Sequence, residues 1–308
     1  MGESVASDIL EAIALSCTCQ FFTGSPLATP DLDFDFPPSV EGENSHNIST
    51  NIHHPCPFSI LYYNARSLLP KMDELRLVCM SEQPDVVCIV ETWLDENILE
   101  SEISVDNYSV VRLDRNRHGG CIVMYIRDCL HCSVLNVDTQ GLELAIVTVT
   151  SNSFRICIGL LYRPPSSSVF VLDNLFSVLE SLEPSYFSNF VLIGDFNIDY
   201  NNSFHPLRQR LDTIASSFSF VQVVADPTHT DSNGRSSLID LALVSLPENL
   251  LSCSVIPPIE NSTYNVHSGI HLKMRTRPVR AKELSRRTVW RYTHANLRRQ
   301  TGSLNLLI

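Results

Sequence analysis

Basic residues are scarce in this chain. Its 308 residues carry 22 Lys and Arg against 34 Asp and Glu, a formal net charge of −12. The scarcity is sharper than the total suggests, because residues 273–299 alone hold ten of the cations and a single acid, Glu283. Phosphate contacts need cations, so the acidic remainder is a poor non-specific nucleic-acid binder. Any function on a polynucleotide must rest on a local site, a metal ion or the basic stretch, and that stretch reads equally well as a solvated helix face. Long apolar runs are also missing. None approaches the roughly 20 residues that span a bilayer, so no membrane partner is expected. The N-terminus, Met1-Gly2-Glu3-Ser4, lacks the basic segment of a secretory signal, and Ala6 breaks the myristoylation pattern. The expected location is the nucleus or cytoplasm, not the cell exterior. The ten cysteines offer only two local pairs, Cys17-x-Cys19 and Cys129-x-x-Cys132, with no second pair at zinc-finger distance from either. Several others sit in apolar runs (Cys88, Cys121, Cys157) and read as buried free thiols.

What is present is a 44% hydrophobic chain long enough for a full core. Its organising stretch is Val191-Leu192-Ile193-Gly194-Asp195-Phe196-Asn197. A short β-branched run predicts a strand buried on both faces, Gly194 allows a tight exit, and a period of two turns Asp195 and Asn197 to one side. Taken alone, this is equally an Asx-rich turn after a core strand. The balance tips because other strands end in the same way. Residues 58–63 read as a strand running into Asn64, and 85–90 as a buried strand running into Glu91. Residues 142–150 and 154–161 flank Ser151-Asn152-Ser153 as a hairpin that leads into Tyr162-Arg163-Pro164-Pro165. Residues 237–244 read as one strand with Asp240 inside it, an acid that needs a partner if buried. A last strand, 264–270, carries His267. Helices are expected over 70–80, 169–182 and 207–218. Many strands and few helices predict an α+β fold of two packed sheets with helices outside.

Asn64, Glu91, Tyr162, Asp195, Asn197, Asp240 and His267 together supply what metal-assisted phosphodiester cleavage requires. A carboxylate holds a hard divalent cation, another polar group aims water, and donors stabilise the growing charge on phosphorus. Single residues admit blander readings: His229 as a turn histidine, Trp93 and Phe196 as core packing, and His53-His54 near Cys56 as a chance metal lookalike.

The ordered set resembles the exonuclease–endonuclease–phosphatase superfamily, and more closely the apurinic-type endonuclease domain of LINE-like (non-LTR) retrotransposons. The segments that carry the resemblance are Asn64-Ala65-Arg66-Ser67-Leu68, Glu91-Thr92-Trp93-Leu94, Arg115 to Gly120, Tyr162-Arg163-Pro164-Pro165, Gly194-Asp195-Phe196-Asn197, Asp226-Pro227-Thr228-His229 and Ile239-Asp240-Leu241. It implies a DNase I-like four-layer α/β/β/α sandwich of two mixed sheets over 56–276, after a weakly structured or disordered segment 1–55. Residues 277–308 resemble the linker that such elements place before a reverse transcriptase, which makes that enzyme an expected partner beside DNA and this chain a fragment or truncated copy. The resemblance further implies Mg²⁺, with Mn²⁺ as a substitute, bound by Glu91 with Asn64 beside it. Asp195 would orient or deprotonate water with help from Asn197. Tyr162 and Thr228 would contact the phosphate and its surroundings, and Arg163 and Arg115 would also serve substrate binding. Asp240 would accept from His267, which would stabilise the phosphate charge.

One position departs. Where the family has Ser-Asp-His, this chain has Asn265-Val266-His267, and Glu260 is the nearest acid. Valine can neither bind metal nor balance charge, and even an indirect partner of a metal is worth about 10–100-fold in affinity or activity. Three functions are therefore expected to compete: a Mg²⁺-dependent DNA endonuclease weakened by Val266, a catalytically impaired remnant acting as a nucleic-acid or protein binding module, and a phosphatase on lipid or inositol phosphates. The Asn64–Leu68 and Tyr162–Pro165 segments speak against the last.

Overall fold

The structure, a computed structural model, describes residues 57–114, 120–151, 154–168, 170–259 and 266–276. Arg115, Glu260, His53, His54, the Cys17/Cys19 pair, segment 1–55 and the basic stretch from 277 lie outside the described residues. In chain order the strands are β1 (Phe58–Asn64), β2 (Val86–Val90), β3 (Tyr108–Leu113), β4 (Ile122–Arg127), β5 (His131–Val134), β6 (Glu143–Ser151), β7 (Phe154–Tyr162) and β8 (Phe190–Asp195). They continue with β9 (Val221–Gln222), β10 (His229–Thr230), β11 (Ser236–Ser237), β12 (Asp240–Val244), β13 (Leu250–Ile256), β14 (Val266–His267) and β15 (Gly269–Met274). Two six-stranded sheets result, one ordered β13-β15-β1-β2-β4-β3 and the other β5-β6-β7-β8-β12-β9, with a small third sheet β11-β10-β14. Each large sheet holds one parallel pair, β1–β2 and β7–β8.

Alternation along the first sheet explains its two-sided burial. Ile60, Tyr62, Val86, Cys88, Ile122 and Met124 join the large core shared with the second sheet, whereas Leu61, Tyr63, Val87, Ile89, Val123 and Tyr125 face a second core. Helix α1 (Met72–Glu82) covers that second core with Met72, Leu75 and Cys79. A 3-10 turn at Leu69–Lys71 with Pro70 leads into it, and Asp73 and Glu74 complement the positive end of its dipole. Gln83 stops it in the left-handed region at φ 46°, its N–H bonding Cys79 O. Helices α2 (Phe170–Ser181) and α3 (Pro206–Ser217) join the core of the second sheet through Leu172, Leu175, Val178, Leu179, Leu211 and Ile214. At α3 the ring of His205 accepts from Leu207 N at 3.2 Å, capping a helix that starts on Pro206. The expected two-sheet fold with few, outer helices is found.

Two local readings change. The strand expected over 237–244 begins only at Asp240, because Leu238 and Ile239 turn their carbonyls to Tyr200 N (2.8 Å) and Phe196 N (3.0 Å) instead of continuing the ladder. Strand β5 carries no apolar alternation, since His131, Ser133 and Val134 are exposed, and its sequence gave no signal for it. Between β7 and β8 the chains approach so closely at Gly194 that a Cβ there would lie 1.8 Å from Leu161 O. Only glycine fits.

Candidate active site

Topology gathers the polar residues at one end of both sheets. In the first sheet, β1 and β2 run parallel and deliver Asn64 and Glu91 at their C-terminal ends, while antiparallel β15 starts at that same end just after His267. In the second sheet, parallel β7 and β8 end at Tyr162 and Asp195, and antiparallel β12 starts beside them at Asp240. Register aligns Glu143, Tyr162, Asp195 and Asp240 in one row across β6, β7, β8 and β12. Directly paired residues project on one face of a sheet, so this row is a polar strip.

The two sheets close on each other through these side chains. Asn64 Nδ2 donates to Glu91 Oε1 at 2.9 Å and to Asp195 Oδ2 at 3.0 Å, and Asn64 Oδ1 accepts from Arg66 N at 3.2 Å. Asp195 Oδ1 accepts Asn197 N at 2.8 Å. Asp240 is fully buried and holds two partners, accepting the Tyr62 hydroxyl at 2.6 Å and His267 Nδ1 at 2.9 Å. A carboxylate accepts, so Nδ1 carries the ring proton there and Nε2 is left for other work. Oxygen or nitrogen atoms of Glu91, Asp195 and His267 all lie within 4.8 Å of one another.

Charge in this pocket is strongly unbalanced. Burial, with the Asp240 and Glu91 carboxylates adding to it, pushes Asp195 well above the usual carboxylate range, against the pull of His267 and the Asn197 N–H. Burial works against a charged ring at His267, but the charge and hydrogen bond of Asp240, with Asp195 and Glu91 behind them, outweigh it and hold the ring up at about 9. Tyr162 is raised by burial and then by Glu91, Asp195 and Glu143. Three acids so close, two of them fully buried, with a hard-oxygen donor set and one imidazole, form a site a divalent cation would neutralise. The residues present fit such an ion, and among the described residues they are the one cluster with that geometry.

Some expected site residues sit elsewhere in the arrangement. The guanidinium of Arg163 is not turned to solvent for substrate. It is 1% exposed and donates to the carbonyls of Phe196 (3.3 Å), Asn197 (3.4 Å) and Ser167 (3.0 Å), bracing the loop after Asp195. Asn197 does not continue the period of two. Its backbone turns left-handed at φ 49°, and its amide donates to Arg163 O at 2.8 Å. Thr228 is 1% exposed, and its hydroxyl accepts from Asp240 N (2.9 Å) and Ile239 N (3.3 Å), which fixes the start of β12. Asn64 offers Glu91 and Asp195 its amide nitrogen, so it orients the carboxylates. Val266 is half-buried, paired with Thr230 on the small sheet.

Three residues near the site were not foreseen. Tyr62, in the middle of an apolar run, carries the hydroxyl on Asp240. Glu143 ties the start of β4 through Cys121 N at 2.7 Å. His229, read as a turn residue, pairs in register with His267, their ring centroids 4.6 Å apart. Its only sequence signal is its place next to Thr228 in a resembling segment.

Solved structures similar to this chain include the endonuclease domain of TRAS1, a telomere-specific non-LTR retrotransposon (TM-score 0.58, 13% identity, covering 71% of this chain and 99% of that one). An AP endonuclease from Leishmania major follows closely (TM-score 0.57, 18% identity, 71% and 88%). So does a 3′–5′ exonuclease from Neisseria meningitidis (TM-score 0.56, 16% identity, 70% and 99%). At these identities the likeness is one of fold. A search of curated protein sequences finds no match. Residues 48–285, by contrast, match a sequence family directly, and with the two-sheet fold and the acid–histidine cluster at its strand ends in view, the chain belongs to the Endonuclease/Exonuclease/phosphatase family.

Proposed function

We propose that this chain is a Mg²⁺-dependent endonuclease that nicks DNA, of the kind found in LINE-like retrotransposons. The observation that carries the reading is the convergence of Glu91, Asp195 and His267, from both sheets, on one space with Asn64 tying two of them together. A divalent cation there would polarise the phosphodiester and stabilise negative charge. Glu91 is the half-buried carboxylate able to reach it from the first sheet, with Asp195 opposite. Asp195, raised by burial and by its acidic neighbours, is the group suited to take a proton from attacking water. His267, kept charged by Asp240, donates to the phosphate oxygen through Nε2. Tyr162, aligned with Asp195, presents a protonated hydroxyl to the same charge.

DNA as substrate and a reverse-transcriptase region as partner belong to this proposal, supported by the resembling segments and by the fold shared with a retrotransposon endonuclease domain. A second reading has one observation behind it. Val266 stands where an acid is expected, which favours a site that keeps the fold and binds without cutting. Supercoiled plasmid incubated with the full chain decides between them. With Mg²⁺ the protein is expected to produce nicked circles, with no product in EDTA or with Asp195→Ala. Nicking by Val266→Asp alone would support the impaired reading. Release of phosphate from inositol or lipid phosphates without any nicking would defeat both.

A further inference from the structure

Asp240 is a fully buried acid of the site, and one of its two oxygens is turned away from the imidazole. It lies 2.6 Å from the Tyr62 hydroxyl, and both side chains are fully buried. Tyr62 comes from β1 of the first sheet and Asp240 from β12 of the second, so this bond crosses the molecule's central seam. Three features isolate the contact. Neighbours of Tyr62 on its own face include the apolar Ile60, Cys88 and Met124, while Asn64 two residues on turns its amide to Glu91 and Asp195, and among the described residues the Tyr62 hydroxyl is hydrogen-bonded to Asp240. The backbone N–H of Asp240 is held by the Thr228 hydroxyl at 2.9 Å, which fixes the acid's main chain while leaving χ rotation to its side chain. The second oxygen meets His267 Nδ1 at 2.9 Å. With one oxygen clamped, the carboxylate plane is set and the other oxygen is aimed at the ring.

We propose that Tyr62 is a positioning residue of the hydrolytic site, which acts through Asp240 to fix the orientation of the His267 imidazole. The proposal deepens the nuclease reading and rests on it for its catalytic consequence, though not for its structural one. An unclamped carboxylate can rotate and let the ring swing, which misplaces Nε2. Misplacing a reacting group by about 1 Å costs on the order of 100-fold, and loss of an outer partner typically costs about 10–100-fold.

Tyr62→Phe removes one oxygen and keeps the ring in its apolar seat. Two readouts on the full chain separate the possibilities. The first is the ¹⁵N-edited spectrum of the His267 ring, which needs no activity. The variant is expected to shift the Nδ1 and Nε2 signals of His267 while those of His131 stay in place. Unchanged His267 signals overturn the proposal. The second is the single-turnover nicking rate in a double-mutant cycle. Tyr62→Phe is expected to lower the rate roughly 10-fold in the unaltered background, with little change in half-saturating DNA, and to cost nothing more in His267→Ala. An equal loss in both backgrounds marks a merely structural residue and overturns it. Should the unaltered protein not nick while the ring signals still move, the positioning role stands and the nuclease reading falls. Should Tyr62→Phe not fold, the Tyr62 hydroxyl proton of the unaltered protein is the substitute readout: slow exchange with solvent supports the clamp, and fast exchange refutes it.

Discussion

Asp195 is the residue at which stability and function are opposed. Its carboxyl is raised by burial and by Asp240 and Glu91, so its contribution to stability is present at low pH and is lost as pH rises through the folded value. Without a cation, Asp195→Asn should therefore raise the melting temperature near neutral pH, while nicking falls by at least about 100-fold. Differential scanning fluorimetry in EDTA, beside the plasmid assay, checks both halves. His267 has the same pH direction for a different reason, the charge of Asp240 favouring its protonated ring. Its pKa is raised from 6.5 to about 9, so in the metal-free protein its stabilisation is full below pH 6.5 and fades as pH rises through 9. Against His267→Gln, the unaltered protein should gain on the order of 2–3 kcal/mol at pH 6 and almost none at pH 10, measured by urea unfolding.

At the scale of elements, what was legible was whatever local pattern dictates. The strands ending at Asn64, Val90, Tyr162 and Asp195 follow from apolar runs, and helix α1 follows from Leu75 and Cys79 four residues apart after Pro70. What was not legible depends on partners distant in sequence. Nothing between 237 and 239 tells that the loop after β8 takes their hydrogen bonds. Nothing near Tyr62 tells that an acid 178 residues away will meet its hydroxyl. Arg163 was expected to contact substrate because its Tyr162-Arg163-Pro164-Pro165 segment carries the family resemblance, but the carbonyls of the Phe196–Asn197 turn occupy it. The pairing of β7 with β8 gives the sharpest test at this scale. Gly194→Ala forces a methyl against the Leu161 carbonyl, so it should cost more than about 3 kcal/mol or abolish soluble protein. On α1, Leu75→Ala should cost about 2–5 kcal/mol and Met80→Ala, whose side chain is exposed, within about 0.5 kcal/mol.

For the whole molecule, the two cores and the thiols buried in them define what solvent can reach. Cys88 lies in the core between the sheets, Cys121 is buried just before β4 with its thiol on the Leu94 carbonyl, and Cys129 sits exposed in the turn between β4 and β5. Iodoacetamide on the native protein should modify Cys129 within minutes and spare Cys88 and Cys121 until unfolding, as read by peptide mass spectrometry. The larger consequence of the architecture is that neither sheet owns the site: Glu91, Asn64 and Tyr62 come from one, and Asp195, Tyr162 and Asp240 from the other. A cation held between them should therefore be felt as a single site that needs both. The measurement that tests this most directly is Mn²⁺ titration of the full chain followed by electron paramagnetic resonance. One ion is predicted to bind the unaltered protein, with binding weakened at least about 10-fold by Glu91→Gln from the first sheet and again by Asp195→Asn from the second. No binding to the unaltered protein, or binding that survives both substitutions, would contradict the account.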